Sequence, residues 1–270
     1  MRTLFFLMLS ISCVFSTQAQ SPQKAHIPKL QLGAVQTNIG MSFDVYASYQ
    51  QQQMLNQVVS PERINYDLNA DNVTFYGHNP VESTSLGIAV SFHPVDAVTG
   101  GLNLRKEFRF SLNVNDREGL ITYYEQINTA DGPLNNEFTY CILQTEATAG
   151  FAYLFHNAPE KWLDAYIGFG GQLGATVVND MLMMLNTQNI ENGAVVNQHD
   201  EFWVDGNFNL YQRFTGIAGI VIPFAKLGTV HPGLNLEVQS GSGVNWVSGG
   251  TANWLPLTGS VMMGVKVSFL

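Results

Sequence analysis

The sequence has few cysteines, few basic residues and, after its N-terminal segment, no long apolar run. Its two cysteines are Cys13 and Cys141. Since Cys13 falls in the predicted export signal described next, no internal disulfide is expected, and stability must come from burial and backbone pairing. The chain has 12 Lys+Arg against 21 Asp+Glu, a net charge of -9. This balance argues against nucleic acid as a partner, because phosphate binding needs a concentrated basic surface.

The absence of a long apolar run limits the ways in which the chain can cross a membrane. A spanning helix needs about 20 mainly apolar residues, and the sequence offers none after the first segment. A spanning structure must then be a closed barrel, in which every backbone group is paired.

The N-terminus has the pattern of a secretory signal, predicted over residues 1–19. Arg2 supplies the charge, residues 4–15 the apolar stretch, and Thr17-Gln18-Ala19 the cleavage site. Residues 20–32 are predicted to be a short periplasmic tail. A lipid-modified Cys13 is an alternative, although the residues before it lack the usual leucine.

The last thirteen residues, Thr258 to Leu270, alternate between an apolar and a mixed face. This period-two pattern predicts a strand. The same pattern recurs from Val35 to Tyr49, with apolar residues at odd and small or polar residues at even positions.

Further alternating segments predict eight strands, and the connections between them alternate in length. Long, polar connections are predicted at residues 50–83, 115–137, 179–202 and 240–257. Short turns are predicted at residues 94–101, 156–160 and 223–232. Outer-membrane barrels combine tight periplasmic turns with extended external loops. The predicted fold class is therefore all-β, a transmembrane antiparallel up-and-down β-barrel over residues 33–270.

At this level the sequence resembles the small eight-stranded outer-membrane barrels, such as the transmembrane domain of OmpA and the OmpX and Ail type. The strand pattern, the loop rhythm and the closing segment support the resemblance. It implies an insertion signal at Val265, Val267, Phe269 and Leu270, read by the barrel-assembly machinery in the bacterial outer membrane. The favoured hypothesis is a non-enzymatic protein, and no cofactor is expected.

Charged residues fall on the inward parity of the predicted strands. They are Asp44, Arg105, Glu107, Arg109, Glu146, Asp164, Arg213, Glu237 and Lys266. An eight-stranded barrel is just filled by side chains, and buried charges must pair. The favoured interpretation is a salt-bridged plug, and a conducting or catalytic lumen is the alternative.

Three histidines, His93, His156 and His231, fall near the short turns on inward parity. If they converge, they provide ligands for zinc or copper. Their dispersed spacing is weak evidence, so structural roles are favoured.

The segment Met181-Leu182-Met183-Met184-Leu185 follows Asn179-Asp180 in the third long connection. Asn or Asp before an apolar run can cap a short helix, and an exposed methionine-rich face adapts to partners. We therefore consider a partner-binding loop here, with continuation of the preceding strand as the structural alternative.

The favoured function is the display of acidic surface loops that bind a partner protein of the outer membrane or the surface glycolipid. A small pore is the first alternative, and it requires the predicted hairpin at residues 64–76 to join the wall and make ten strands. A lipid hydrolase using His199 and Asp200 is the second, although these two residues are more typical of a solvated acidic run.

Overall fold

A computed structural model describes residues 29–45, 73–78, 81–96, 99–129, 132–157, 159, 162–191, 194–248 and 251–269. These residues form one antiparallel sheet of ten strands. The strands are β1 (Leu30–Val45), β2 (Val73–His78), β3 (Val81–Pro94), β4 (Lys106–Thr129), β5 (Gly132–His156), β6 (Asp164–Glu191), β7 (Ala194–Asp205), β8 (Asn209–Pro223), β9 (Val230–Val247) and β10 (Thr251–Phe269). In the described part of the chain, no helix is long and apolar enough to cross a membrane.

Eight of the strands close on themselves through hydrogen-bonded pairs. The order is β4, β3, β1, β10, β9, β8, β6, β5, and β5 pairs with β4 again. We call this closed set of strands the ring. The end of the ring where β1 begins and β10 ends is the proximal end, and the opposite end is the extended end.

The two remaining strands prolong the wall at the extended end. β2 pairs with β4 beyond the residues of β4 that pair with β3, so β2 and β3 lie end to end along one neighbour. In the same way β7 and β8 lie end to end along β6. Together β2, β4, β5, β6 and β7 form a five-stranded sheet that rises beyond the ring, which we call the extension.

The extension corrects the predicted long connections. β4 continues to Thr129 and β5 starts at Gly132, through the predicted connection 115–137. β6 and β7 likewise run through most of residues 179–202, and β9 and β10 through most of 240–257. In residues 115–137 and 179–202 most exposed side chains are polar, so the polarity of these segments reflects one face of a strand instead of a loop. In β9 and β10 the exposed positions include Trp246 and Trp254, and the buried ones include Asn245 and Asn253.

The structure covers only part of the predicted N-terminal segments and of the predicted hairpin. Residues 1–28 and 46–72 lie outside the described residues, including the signal, most of the tail and the first arm of the 64–76 hairpin. The second arm is β2, which pairs with β4. β1 begins at Leu30, within the predicted tail.

The ring is apolar outside and polar inside. Along β1 and β3 burial alternates residue by residue. Large apolar side chains of every ring strand are exposed on the outer surface, among them Ile39, Leu86, Leu112, Phe151, Leu173, Phe214, Val238 and Val261. The buried side chains of the ring are mostly polar or charged. This is the reverse of the arrangement in water-soluble proteins, whose buried residues are mainly apolar.

Candidate functional site

Four charged side chains form a closed cluster inside the ring, near its extended end. Arg213 donates to Glu146 Oε1 at 2.6 Å through Nη1 and to Asp44 Oδ2 at 2.8 Å through Nη2. Arg117 Nη1 donates to Glu146 Oε2 at 2.9 Å, and its Nη2 donates to Asp44. Each arginine therefore bonds both carboxylates, and the formal charges balance. We call these four residues the distal cluster.

Two neighbours give the distal cluster its geometry. The Tyr211 ring lies 4.3 Å from the Arg117 guanidinium carbon and 4.7 Å from that of Arg213, measured to the ring centroid. Both distances are in the range of cation–π contacts. A Cβ atom at Gly174 would lie 1.9 Å from Glu146 Oε1, so only glycine leaves room for this carboxylate.

A second cluster lies nearer the proximal end and is centred on Glu107, whose side chain is fully buried. Ser91 Oγ donates to Glu107 at 2.7 Å and Arg109 Nε at 3.1 Å, and Lys266 Nζ also donates to it. Arg109 Nη1 also bonds Glu237. Tyr166 lies with its hydroxyl 2.6 Å from Glu237 Oε2.

His156 completes this second cluster. Its Nε2 lies 3.1 Å from Glu107 Oε2, and its Nδ1 contacts Asp164. A carboxylate that is ionised only accepts hydrogen bonds, so this geometry suits a His156 ring that bears a proton on both nitrogens. With His156 as an imidazolium, three cations (Arg109, His156, Lys266) balance three acids (Glu107, Asp164, Glu237). We call these six residues the proximal cluster.

Between the two clusters the interior is polar and neutral. Two adjoining cavities of about 20 and 30 Å³ are lined by side chains such as Asn113, Gln172, Thr215 and Gln239. Since a water molecule needs roughly 10–15 Å³ of such volume, each cavity has room for one or two waters. Neither of these two spaces is wide enough to form a water-filled channel.

Beyond the distal cluster, apolar side chains form a cluster in the interior, beside buried polar residues such as Glu125 and Asn136. The apolar members are Val81, Tyr123, Phe138, Tyr140, Ile142, Met181, Met183, Tyr211 and Leu255, with Leu185 and Val204 against them. We call this group the apolar cap. It lies inside the extension and covers the distal cluster.

The structure brings together most, but not all, of the charges selected from the sequence. Eight of them are in the two clusters, whereas Arg105 is exposed in the turn before β4. Two members were missed: Arg117 was assigned to a loop, and His156, although on inward parity, was considered as a metal ligand. Continued inward parity along β4 is the signal that would have found Arg117.

The three histidines do not meet. The rings of His93 and His156 lie 6.4 Å apart, but His231 bonds the carbonyl of Gly228 in another turn. His93 Nδ1 contacts the Lys106 carbonyl at 2.7 Å. Within the described residues, no group of three or more His, Cys, Asp or Glu side chains is arranged to hold a metal ion.

The methionine-rich segment is strand, so the predicted short helix is wrong. Residues Met181 to Leu185 lie within β6. Met181 and Met183 are 0% and 4% exposed and belong to the apolar cap, so they offer no surface to a partner. Leu182, Met184 and Leu185 are half-buried.

The predicted insertion segment occupies the end of β10. Val265 and Val267 pair with Thr37 and Val35 of β1 on one side, and with Leu234 and Pro232 of β9 on the other. Phe269 is the last residue of β10, and Leu270 lies outside the described residues.

A row of acids crosses the outer surface between the ring and the extension. Glu82 pairs with Glu118, and Asp180 pairs with Asp205, directly across neighbouring strands. Leu143 lies between the two pairs. All four acids are exposed, as is Asp116 one step nearer the belt. Like charges directly opposite each other are destabilising, so this acidic row favours bound cations.

Comparison with known proteins gives only distant likeness. No family model matches the sequence, and no curated protein matches it. Among solved structures the chain is similar to neisserial surface protein A (NspA), with 12% identity over 89% of this chain and 99% of that chain, at a TM-score of 0.34. It is also similar to the β domain of the Bordetella autotransporter BrkA, with 10% identity over 88% and 100%, at a TM-score of 0.20. The fold assignment rests on the strand pairings.

Proposed function

We propose that the ring is a transmembrane β-barrel of the bacterial outer membrane, without enzymatic activity, and that the extension presents its acidic outer surface to the surface glycolipid. The observation that supports this most strongly is the reversed polarity of the ring. Leu86, Leu112 and Leu173 are 64%, 60% and 65% exposed, while Glu107 and Glu146 are fully buried. Exposing these leucine side chains to water costs free energy, whereas contact with lipid avoids that cost.

The side chains inside the ring favour a plugged interior over a conducting pore. Two neutralised ion-pair clusters and the apolar cap follow one another along its axis. In the described part of the chain, β2 prolongs β3 and does not insert between ring strands. A ten-stranded pore therefore has no support from the pairings.

The geometry around His199 gives no support to a hydrolase. His199 and Asp200 are adjacent on β7, so their side chains point to opposite faces. His199 contacts Asn186 through Nδ1 and Glu201 Oε1 at 3.0 Å through Nε2, and it is half exposed. Asp200 accepts from Gln198 at 2.8 Å.

The acidic row gives the glycolipid a binding chemistry. It lies just beyond the apolar belt, at the height where the phosphates of a membrane glycolipid meet the barrel. Magnesium and calcium take oxygen ligands from carboxylates, and phosphates supply the remaining ones. Divalent cations would then bridge Glu118 or Asp180 to the lipid.

The proposal is tested with the full chain in two sets of vesicles, one that contains the intact glycolipid and one that lacks it. We expect the midpoint temperature of thermal unfolding to rise when the glycolipid and Mg²⁺ are both present, and the rise to disappear with EDTA. The double variant Glu118→Gln, Asp180→Asn should lose the rise as well. The matched variant Asp96→Asn, exposed in the proximal turn after β3, should keep it. A midpoint indifferent to glycolipid and Mg²⁺ would refute the proposal.

A further inference from the structure

A polar groove lies on the outer surface of the extension, beyond the acidic row. The strand register aligns Tyr124, Glu137, Asn186 and His199 in one row across β4, β5, β6 and β7. The next outward row is Gln126, Asn135, Gln188 and Asn197. A cavity of about 400 Å³ is lined by most of these side chains.

The composition of this groove is unusual for a solvated sheet face. Its outward-facing lining includes four amide side chains, one tyrosine and one histidine, with Glu137 as the carboxylate and no lysine or arginine. The four amides are Asn135, Asn186, Gln188 and Asn197.

Amides differ from charged groups in what they can bind. Each amide side chain has both donors and acceptors, whereas a carboxylate only accepts and an ammonium only donates. A sugar hydroxyl likewise both donates and accepts. A surface dense in amides therefore matches a neutral saccharide better than it matches an ion.

Contacts within the groove hold several of these amides in place. Asn135 Nδ2 donates to Gln188 Oε1 at 3.2 Å, and Asn186 contacts His199 Nδ1. Each contact uses part of the hydrogen-bonding capacity of an amide and fixes its direction. Tyr124, which is half-buried at the edge of the groove, adds an aromatic ring whose face suits the C–H groups of a sugar.

We infer that this groove binds a neutral oligosaccharide. The inference rests on the proposed function in one respect: the groove lies six residues beyond Glu118 along β4, roughly 20 Å at 3.3 Å per residue. A glycolipid whose phosphates meet the acidic row would extend its saccharide chain in this direction. The same chemistry would also bind a free glycan.

Titration of the full chain in detergent with free saccharides, in EDTA, separates the groove from the acidic row. The probes are the neutral oligosaccharide released by mild acid from the surface glycolipid of the producing bacterium, and maltoheptaose as an unrelated glucan. Saturable binding of the first alone points to the glycolipid as the source. Equal binding of both points to free glycans.

Substitutions in the groove decide whether it is the site. The double variant Asn186→Ala, Gln188→Ala should weaken binding at least about tenfold, because two amide contacts are lost. Tyr124→Ala should weaken it too, while Tyr124→Phe, which keeps the ring, should stay within about threefold. The control pair Gln31→Ala, Asn157→Ala, exposed at the proximal end, should change nothing.

Two results would overturn the inference. One is the absence of saturable binding of either saccharide at millimolar concentration. The other is binding that the groove variant leaves unchanged. Glycolipid binding that needs Mg²⁺ and survives the groove variant, together with no binding of free saccharide, would reject the groove and leave the acidic row standing.

Discussion

At the scale of single residues, each charge of the distal and proximal clusters has an oppositely charged partner among the described residues. In the distal cluster each arginine bonds both acids, and in the proximal cluster Glu107 accepts from three cationic side chains. Removing one partner of a buried ion pair leaves an uncompensated charge, which costs more than the pair itself contributes. The sensitivity of these positions is therefore expected to be much higher than that of exposed charges.

Substituting Arg213 with alanine tests this arrangement. Asp44 and Glu146 would then share one arginine, and we expect the free energy of unfolding to fall by about 3–5 kcal/mol. Urea unfolding of the protein in detergent measures the change. Arg105→Ala is the control, because Arg105 is exposed and its loss should cost less than about 0.5 kcal/mol. Equal stability of the two variants would contradict the ion-pair geometry.

The residue-level prediction from sequence was good where strand parity could be followed and failed where it was abandoned. Asp44 and Arg213 lie deep in regular alternation and were found. Arg117 lies eight residues after Arg109 in β4 and therefore has the same inward parity. It was nevertheless placed in a loop, because acids flank it in the sequence. Those acids point outward, to the other face of the same strand.

At the scale of elements, the extension is built differently from the ring. Its inner face carries the apolar cap, with Tyr140, Ile142 and Met183, beside the buried pair Glu125 and Asn136. Its outer face is mixed: the row next to the acidic row contains the exposed Leu120 and Trp203, and polar rows follow. An apolar inner face with a largely polar outer face is the usual pattern of a sheet in water.

Met183→Asn tests the apolar cap. A buried amide without partners and a smaller side chain should destabilise the extension by about 2–4 kcal/mol. Hydrogen exchange should accelerate for the amides on the extension side of Leu143 in β5 and of Asp180 in β6, while the amides of the ring should stay protected. Met184→Asn, at the next residue on the opposite face, should have little effect. Accelerated exchange throughout the ring would show that the extension is not a separate layer.

The sequence contains a signal for the extension that composition obscured. Asn192-Gly193 separates the paired residues Glu191 and Ala194, and Asn-Gly is the dipeptide most typical of a two-residue hairpin. Asp131-Gly132 marks the β4–β5 hairpin in a similar way. Reading these as turns, with strands on both sides, predicts the extension. What no local pattern reveals is that β2 and β7 pair beyond the ends of β3 and β8, because that depends on pairing between distant strands.

At the scale of the whole molecule, the ring joins an apolar exterior to an interior of paired charges, and the extension continues its wall into water. Sequence periodicity predicted the antiparallel all-β architecture and the two faces of most ring strands. The proposed place of the molecule in a bilayer, and the number of strands that would cross it, depend on the height of the apolar belt. That height is a physical property that can be measured residue by residue.

Spin labels placed along the outer surface measure it most directly, in a Cys141→Ser background with the full chain in lipid vesicles. Labels at Leu86, Leu112 and Leu173 should be relaxed by oxygen, which partitions into the bilayer, and shielded from a water-soluble nickel chelate. A label at Glu137, on the outer face of the extension, should show the reverse. Ready access of the chelate to the three ring positions would contradict the claim that lipid covers the ring.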